Sequence, residues 1–297
     1  MRIEKKATIV SSSTAAVLVT LKLVIGVMSG SIAVLASAID SLLDLAVSIF
    51  NYFALHHSER KADETFNFGR GKLEALAAVV EGTIISISAL FILYNAVMKF
   101  LTPRPIDYMQ ASIAVMGLSI VLTGFLVLFL THVAKKNNNL VIRADALHYK
   151  TDLFTNGAIL VSLLIVKYSG FELIDPLLGV AIAVYMIYSA YPILKEGVLM
   201  LLDVALEKEE IEKIETVLSA HKGKDITDWH FLKTRRAGSD VFISVHLVFT
   251  LETSLYDAHR VSDQIELELK KLFPDAAVHS IIHLDPYDDS DINEDEL

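Results

Sequence analysis

The sequence predicts an α-helical membrane protein with six transmembrane helices, followed by a small α+β cytoplasmic domain of order αββαβ, ferredoxin-like in kind. Three observations carry this. The 297 residues are 53% hydrophobic and only 21% charged, with mean hydropathy +0.49, too apolar for a soluble protein of this length. Apolar runs of about 20 residues recur through the first two thirds of the chain. Past residue 203 they give way to short amphipathic segments and an acidic surplus.

Six spans have membrane length and apolarity, at roughly 7–28, 32–55, 74–98, 110–133, 142–166 and 173–201. The first follows MRIEKK as a secretory signal would, but SSSTAAVLVTLKLVIGVMSG lacks a cleavage site and runs straight into the second span, so it is an uncleaved helix. The SGS link between these two fits a tight outer hairpin. Basic residues set the orientation. Arg2, Lys5, Lys6, Arg60, Lys61, Arg70, Lys72, Lys135, Lys136 and Arg143 collect on one side, against Lys99, Arg104 and Lys167 on the other. Positive charge stays inside, so the sequence predicts a multi-pass protein of the inner (cytoplasmic) membrane with both termini in the cytoplasm.

Beyond residue 203, EKEEIEKIETVLSAH has the pattern of an amphipathic helix, DITDWHFLKT of a strand and DVFISVHLVF of an alternating strand. SLYDAHRVSDQIELELKKLF is a second helix and AVHSIIHLD a third strand. The expected domains are therefore 1–203 in the membrane, 204–287 in the cytoplasm, and an acidic, solvated tail, 288–297, with almost nothing to bury.

Composition narrows the chemistry. With no cysteine, a thiolate nucleophile or Cys-ligated metal is excluded, and metal binding must use His and carboxylate. The net charge of −10 sits wholly in the C-terminal part, which argues against nucleic acid as a partner. No phosphate-cradling Gly-rich loop or GKS/GKT motif is present, so neither an ATP-driven pump nor another enzyme is expected.

AIDSLLDLA in the second span poses the chemical question. Asp40 and Asp44 are spaced i, i+4 on one helical face, and each carboxylate near a span centre costs about 2.5–3.5 kcal/mol on insertion scales. In the fifth span, ADALHYKTDLF repeats the spacing with His148 and Asp152. If the two helices face each other, these side chains supply the four N or O donors of a tetrahedral divalent ion. Imidazole among carboxylates suits zinc, cadmium or ferrous iron better than magnesium or calcium. The plainer alternative is an ordinary buried ion pair, with Lys22 or Lys150 neutralising an Asp. Two matched pairs on separate spans favour the cation. Glu74 and Glu81 of the third span receive no role here.

DSLLD in the second span, HYKTD in the fifth, FGRGKLEALAA entering the third and IIHLDP near the C-terminus together resemble the cation diffusion facilitators, specifically their bacterial zinc and ferrous-iron efflux branch. The resemblance covers nearly the whole chain. It implies that Asp40, Asp44, His148 and Asp152 form a transport site exposed alternately to the two sides. It also implies a homodimer that exchanges a divalent cation for protons. Lys72 and Asp203 fall where the family places a pairing lysine and aspartate near the dimer interface. One departure stands out. The family's second metal site, an Asp and two His in the loop between spans two and three, is met here by Asp63 with Phe66 and Arg70 at the histidine places. Arginine cannot ligate a cation, so that site is expected to be absent or severely weakened, despite His56 and His57 nearby.

Six of the ten histidines lie beyond residue 203. His283 and Asp285 are two apart on one strand and share a face, with His246 on the alternating strand, His230 at the first strand and His259 in the second helix. A single strand histidine is more often packed or superficial, and His221 and His279 are left so. The resemblance raises His230, His246, His259, His283 and Asp285 to a regulatory metal site, with Asp285 bridging two ions, that tightens the dimer. Zn2+, or Cd2+ or Fe2+, is thus expected as both substrate and regulatory ligand. The expected function is divalent metal/proton antiport out of the cytoplasm. The alternatives are a membrane-bound metal sensor without flux and a carrier of organic cations.

Overall fold

The computed structural model describes residues 3–29, 32–101, 110–137, 139–169, 171 and 173–289. Arg2, Arg104, most of the SGS link and residues 290–297 of the acidic tail lie outside the described residues. The chain divides into two compact units, Met1–Val198 and Leu199–Leu297.

The first unit is built from α1 (Ile3–Ser29), α2 (Ile32–Ser58), α3 (Lys72–Leu101), α4 (Gln110–Asn137), α5 (Leu140–Ser169) and α6 (Ile174–Leu201). Five of these, all but α5, contain stretches long and apolar enough to cross a membrane. The helix α5 is as long as α3, but Arg143, Asp145, His148, Lys150 and Asp152 crowd its first half. It is covered there by neighbours: α5 packs on α3 and α4 and touches α1 and α2, and residues 144–149 are all buried. A span bearing that many ionisable groups is tolerable when they face the bundle interior.

Small residues set the packing. Along α3, Ala75, Ala77, Ala78, Ala89 and Ala96 are buried, and against it come the glycines of α6. A Cβ at Gly197 would lie 2.7 Å from Val79 Cγ2 and 3.2 Å from the Ala75 carbonyl oxygen, and one at Gly179 would lie 3.0 Å from the Ala96 Cβ. Lipid tails are as apolar as leucine, so membrane helices associate by close backbone approach rather than by hydrophobic drive. Polar clasps add register: Arg143 donates twice to Glu196, at 2.8 and 2.6 Å, and Lys5 pairs with Glu59.

The second unit holds α7 (Lys208–His221), β1 (Asp228–Ala237), β2 (Asp240–Val248), α8 (Leu255–Leu272) and β3 (Ala277–Asp285), the expected αββαβ order. The sheet runs β1-β2-β3, with β1 antiparallel and β3 parallel to β2, the parallel pair being connected through α8 as such pairs require. Ser254 caps α8, accepting from Asp257 N at 3.1 Å. The alternating Val241, Ile243, Val245 and Leu247 of β2, with Phe249 just past its end, pack with Ile214 and Leu218 of α7 and with Ala258, Val261, Ile265 and Leu269 of α8. That parity leaves His246 on the opposite, helix-free face.

Candidate metal centres

In the membrane unit the helices bring three of the four expected donors together. His148 Nε2 lies 3.1 Å from Asp44 Oδ1 and 3.7 Å from Asp152 Oδ2, and donor atoms of Asp44, His148 and Asp152 all fall within 4.8 Å of one another. His148 is 8% exposed, and the two carboxylates are half-buried. The i, i+4 pair on α5 thus meets α2 as the spacing anticipates. Asp40, one turn before Asp44, is exposed and outside this triplet. Lys22 is 7% exposed, donates to Ser41 Oγ at 2.7 Å and sits within electrostatic range of Asp40, Asp44 and Asp152. Lys150 lies 5.6 and 5.5 Å over the rings of Phe154 and Tyr185. Tyr149 meets Ser48 at 2.7 Å and ties α5 to α2 beside the site.

The cytoplasmic cluster is a row across the sheet. His230 on β1 pairs in register with His246 on β2, and His246 with His283 on β3. Asp285, 3% exposed, bonds His246 Nδ1 at 2.9 Å and has His283 Nδ1 at 2.7 Å and His230 Nε2 at 3.3 Å from its carboxylate oxygens. A bulge between His230 and Lys233, with Phe231 at φ 51°, lets Trp229 and Leu232 both reach the core while His230 keeps the cluster face. Donors of His230, His246, Asp285 and Asp289 converge within 4.8 Å. Asp289, 3.2 Å from His230 Nε2, comes from the segment expected to be tail. Its signal was the acidic run after IIHLDP, which composition alone assigns to solvent.

Other residues fall elsewhere. His259 is 71% exposed, 3.8 Å from Asp263, and apart from the cluster. His221 bonds Asp225 at 2.8 Å, and His279 stacks on Phe242 at 4.9 Å. Asp203 accepts from Arg235 Nη1 at 3.0 Å; Lys72 belongs to the other unit. In the α2–α3 loop, Asp63 accepts from the backbone of Phe66 and Thr65 at 2.8 and 3.0 Å and from Arg70 Nη2 at 2.6 Å. Arg70 also covers the Phe66 ring at 4.2 Å. The Phe66 N–H and the Arg70 guanidinium hold the Asp63 carboxyl below the usual range. Arginine thus stands where an external cation would.

Two family descriptions match the chain: the cation efflux transmembrane domain over residues 8–202 and the cytoplasmic domain of cation efflux proteins over 206–287. The chain belongs to the cation efflux family. The cation-efflux pump FieF of Klebsiella pneumoniae is 37% identical over 96% of this chain and 93% of that protein. FieF of Serratia proteamaculans is equally similar, at 37% over the same shares. A solved structure from work on the mode of action of CzrB, described there as a candidate zinc transporter, matches 28% of this chain and 99% of that one at 37% identity and TM-score 0.26. As a cation efflux protein this chain is a multi-pass membrane transporter of divalent metal cations, and among the described residues two carboxylate–histidine clusters have donor atoms close enough to hold such an ion.

Proposed function

We propose that this protein exports zinc, and with it cadmium or ferrous iron, from the cytoplasm in exchange for protons. It does so as a homodimer in the inner membrane with both termini cytoplasmic. The observation that supports this best is the half-buried triplet of Asp44, His148 and Asp152, donated by two helices inside the bundle. Asp40, on the same face of α2, is the fourth donor. A bound cation offsets carboxylate charge that the membrane otherwise makes costly.

Ligation needs deprotonated carboxylates and neutral imidazole, so metal entry expels protons and protons expel metal. Exposed to the outside, the site takes up protons and releases the cation; exposed to the cytoplasm, it does the reverse. His148 carries the main exchangeable proton, because an imidazole titrates nearer neutrality than a carboxyl. His230, His246, His283 and Asp285, joined by Asp289, bind regulatory metal that neutralises two acidic surfaces and tightens the dimer.

The test is metal uptake into proteoliposomes with an acidic lumen. Zinc and cadmium flux is expected, lost in Asp44→Ala with helicity intact. No flux would favour the sensor, and flux of organic cations independent of metal the third reading. Uptake of manganese alone would overturn the weight placed on His148.

A further inference from the structure

Behind the metal triplet lies a second group of ionisable side chains that antiport at His148 leaves unused. Glu81 of α3 and Asp145 of α5 are both 0% exposed, as is Asn51 of α2. Asn51 Nδ2 donates to Glu81 Oε2 at 2.9 Å. The remaining oxygens, Glu81 Oε1, Asn51 Oδ1 and both Asp145 carboxyl oxygens, are buried without a hydrogen-bond partner. Ser11 of α1 and Asn51 approach Asp145 without reaching hydrogen-bond geometry. The charged groups acting on Glu81 are Asp145, His148 and Asp152, and Glu196 of α6 is engaged by Arg143.

Two fully buried carboxylates within electrostatic range of one another are costly to keep ionised together, because burial strips their hydration and their charges repel. A proton on one of them turns an orphaned acceptor into an O–H donor for the unpartnered oxygens beside it. A proton requires no cavity, whereas a metal ion would need at least three convergent donors here.

We propose that Glu81 and Asp145 share one proton, forming a proton-binding site that empties when a cation occupies Asp44, His148 and Asp152. The inference rests on that triplet being the transport site. The placement makes the coupling direct: Asp145 is three residues, and Asn51 seven, from triplet members on their own helices. A dication nearby favours the ionised pair. The O–H bond of the shared carboxyl then breaks, the proton leaves to water on the side open at that moment, and both carboxylates stay behind. Proton return restores the neutral member and favours metal release.

The experiment compares the full-length protein with Glu81→Gln, which keeps the shape and bond to Asn51 but holds no exchangeable proton. Protons released per zinc bound are counted in lightly buffered detergent solution with a pH indicator. The cytoplasmic cluster contributes equally to both proteins and cancels. Glu81→Gln is expected to release fewer protons, by about one at most, with a correspondingly shallower dependence of zinc affinity on pH. Equal release overturns the proposal, as does one more bound zinc per chain in the wild type than in the variant. Loss of all zinc binding by the membrane unit of the wild type would instead defeat the transport-site reading. Should Glu81→Gln not fold, infrared difference spectra of the wild type decide: the carbonyl stretch of a buried protonated acid is expected at neutral pH and diminishes on adding zinc, and its absence refutes the site.

Discussion

Asp285→Asn tests the cytoplasmic cluster most sharply. The side chain is 3% exposed and meets ring nitrogens of His283, His246 and His230 at 2.7, 2.9 and 3.3 Å. Asparagine keeps the shape, removes the charge and replaces one acceptor oxygen with an NH2 group that cannot ligate a cation. Breaking a buried charge interaction costs about 3–5 kcal/mol. At about 1.4 kcal/mol per decade, zinc at this cluster should bind roughly two to three and a half decades more weakly. Calorimetric titration of the full-length protein in detergent reads this directly. One class of zinc sites should vanish from the isotherm while the class assigned to the membrane unit persists. Circular dichroism should show an intact fold, because the helix-facing side of β2 is untouched. His259→Ala, at a 71% exposed position apart from the cluster, serves as control and should leave the isotherm within a few-fold. An unchanged isotherm for Asp285→Asn would refute the cluster as a metal site.

Three further outcomes follow. Gly197→Ala would force a Cβ to 2.7 Å from Val79 Cγ2 and 3.2 Å from the Ala75 carbonyl, so overpacking of about 1–3 kcal/mol should outweigh the gain in helix propensity and lower the thermal unfolding midpoint in detergent. Replacing Phe66 and Arg70 together by histidine removes the guanidinium bonded to Asp63 at 2.6 Å and supplies two imidazoles, so elemental analysis should find about one more zinc per chain. Asp228 accepts from Lys222 and from the Trp229 N–H, which hold its carboxyl below the ordinary 3.8. A depressed carboxyl contributes stability that is present above its unfolded value and lost as pH falls through the folded one. Fluorescence of Trp229, the single tryptophan, should therefore be steady from neutrality to about pH 4 and change only below it.

Much of this protein is legible in one dimension because its chemistry is periodic. Span length follows from bilayer thickness, and the i, i+4 repeats of Asp40 with Asp44 and His148 with Asp152 follow from helical pitch. Likewise, the alternation of DVFISVHLVF places His246 opposite the core before any fold is known. The Arg70 substitution at a family histidine position announces the closed loop pair seen with Asp63.

What pitch and pleat cannot supply is convergence between elements distant in sequence. Only packing decides that Asp44 reaches His148 across 104 positions while Asp40, with identical spacing credentials, stays exposed. Only the sheet register aligns His230, His246 and His283, and only the chain's return past β3 adds Asp289 and leaves His259 aside. Glu81 and Asp145 carry no local signal that singles them out: Glu74 precedes Glu81 on α3 and Asp152 follows Asp145 on α5, and only the packed helices show which acids are fully buried with unpartnered oxygens. Sequence alone determined the spans, the strands and the residue types fit to hold a cation, because these depend on near neighbours along the chain. The tertiary structure decided which of them share a site and which buried acids lack partners, because burial and distance are properties of the assembled fold.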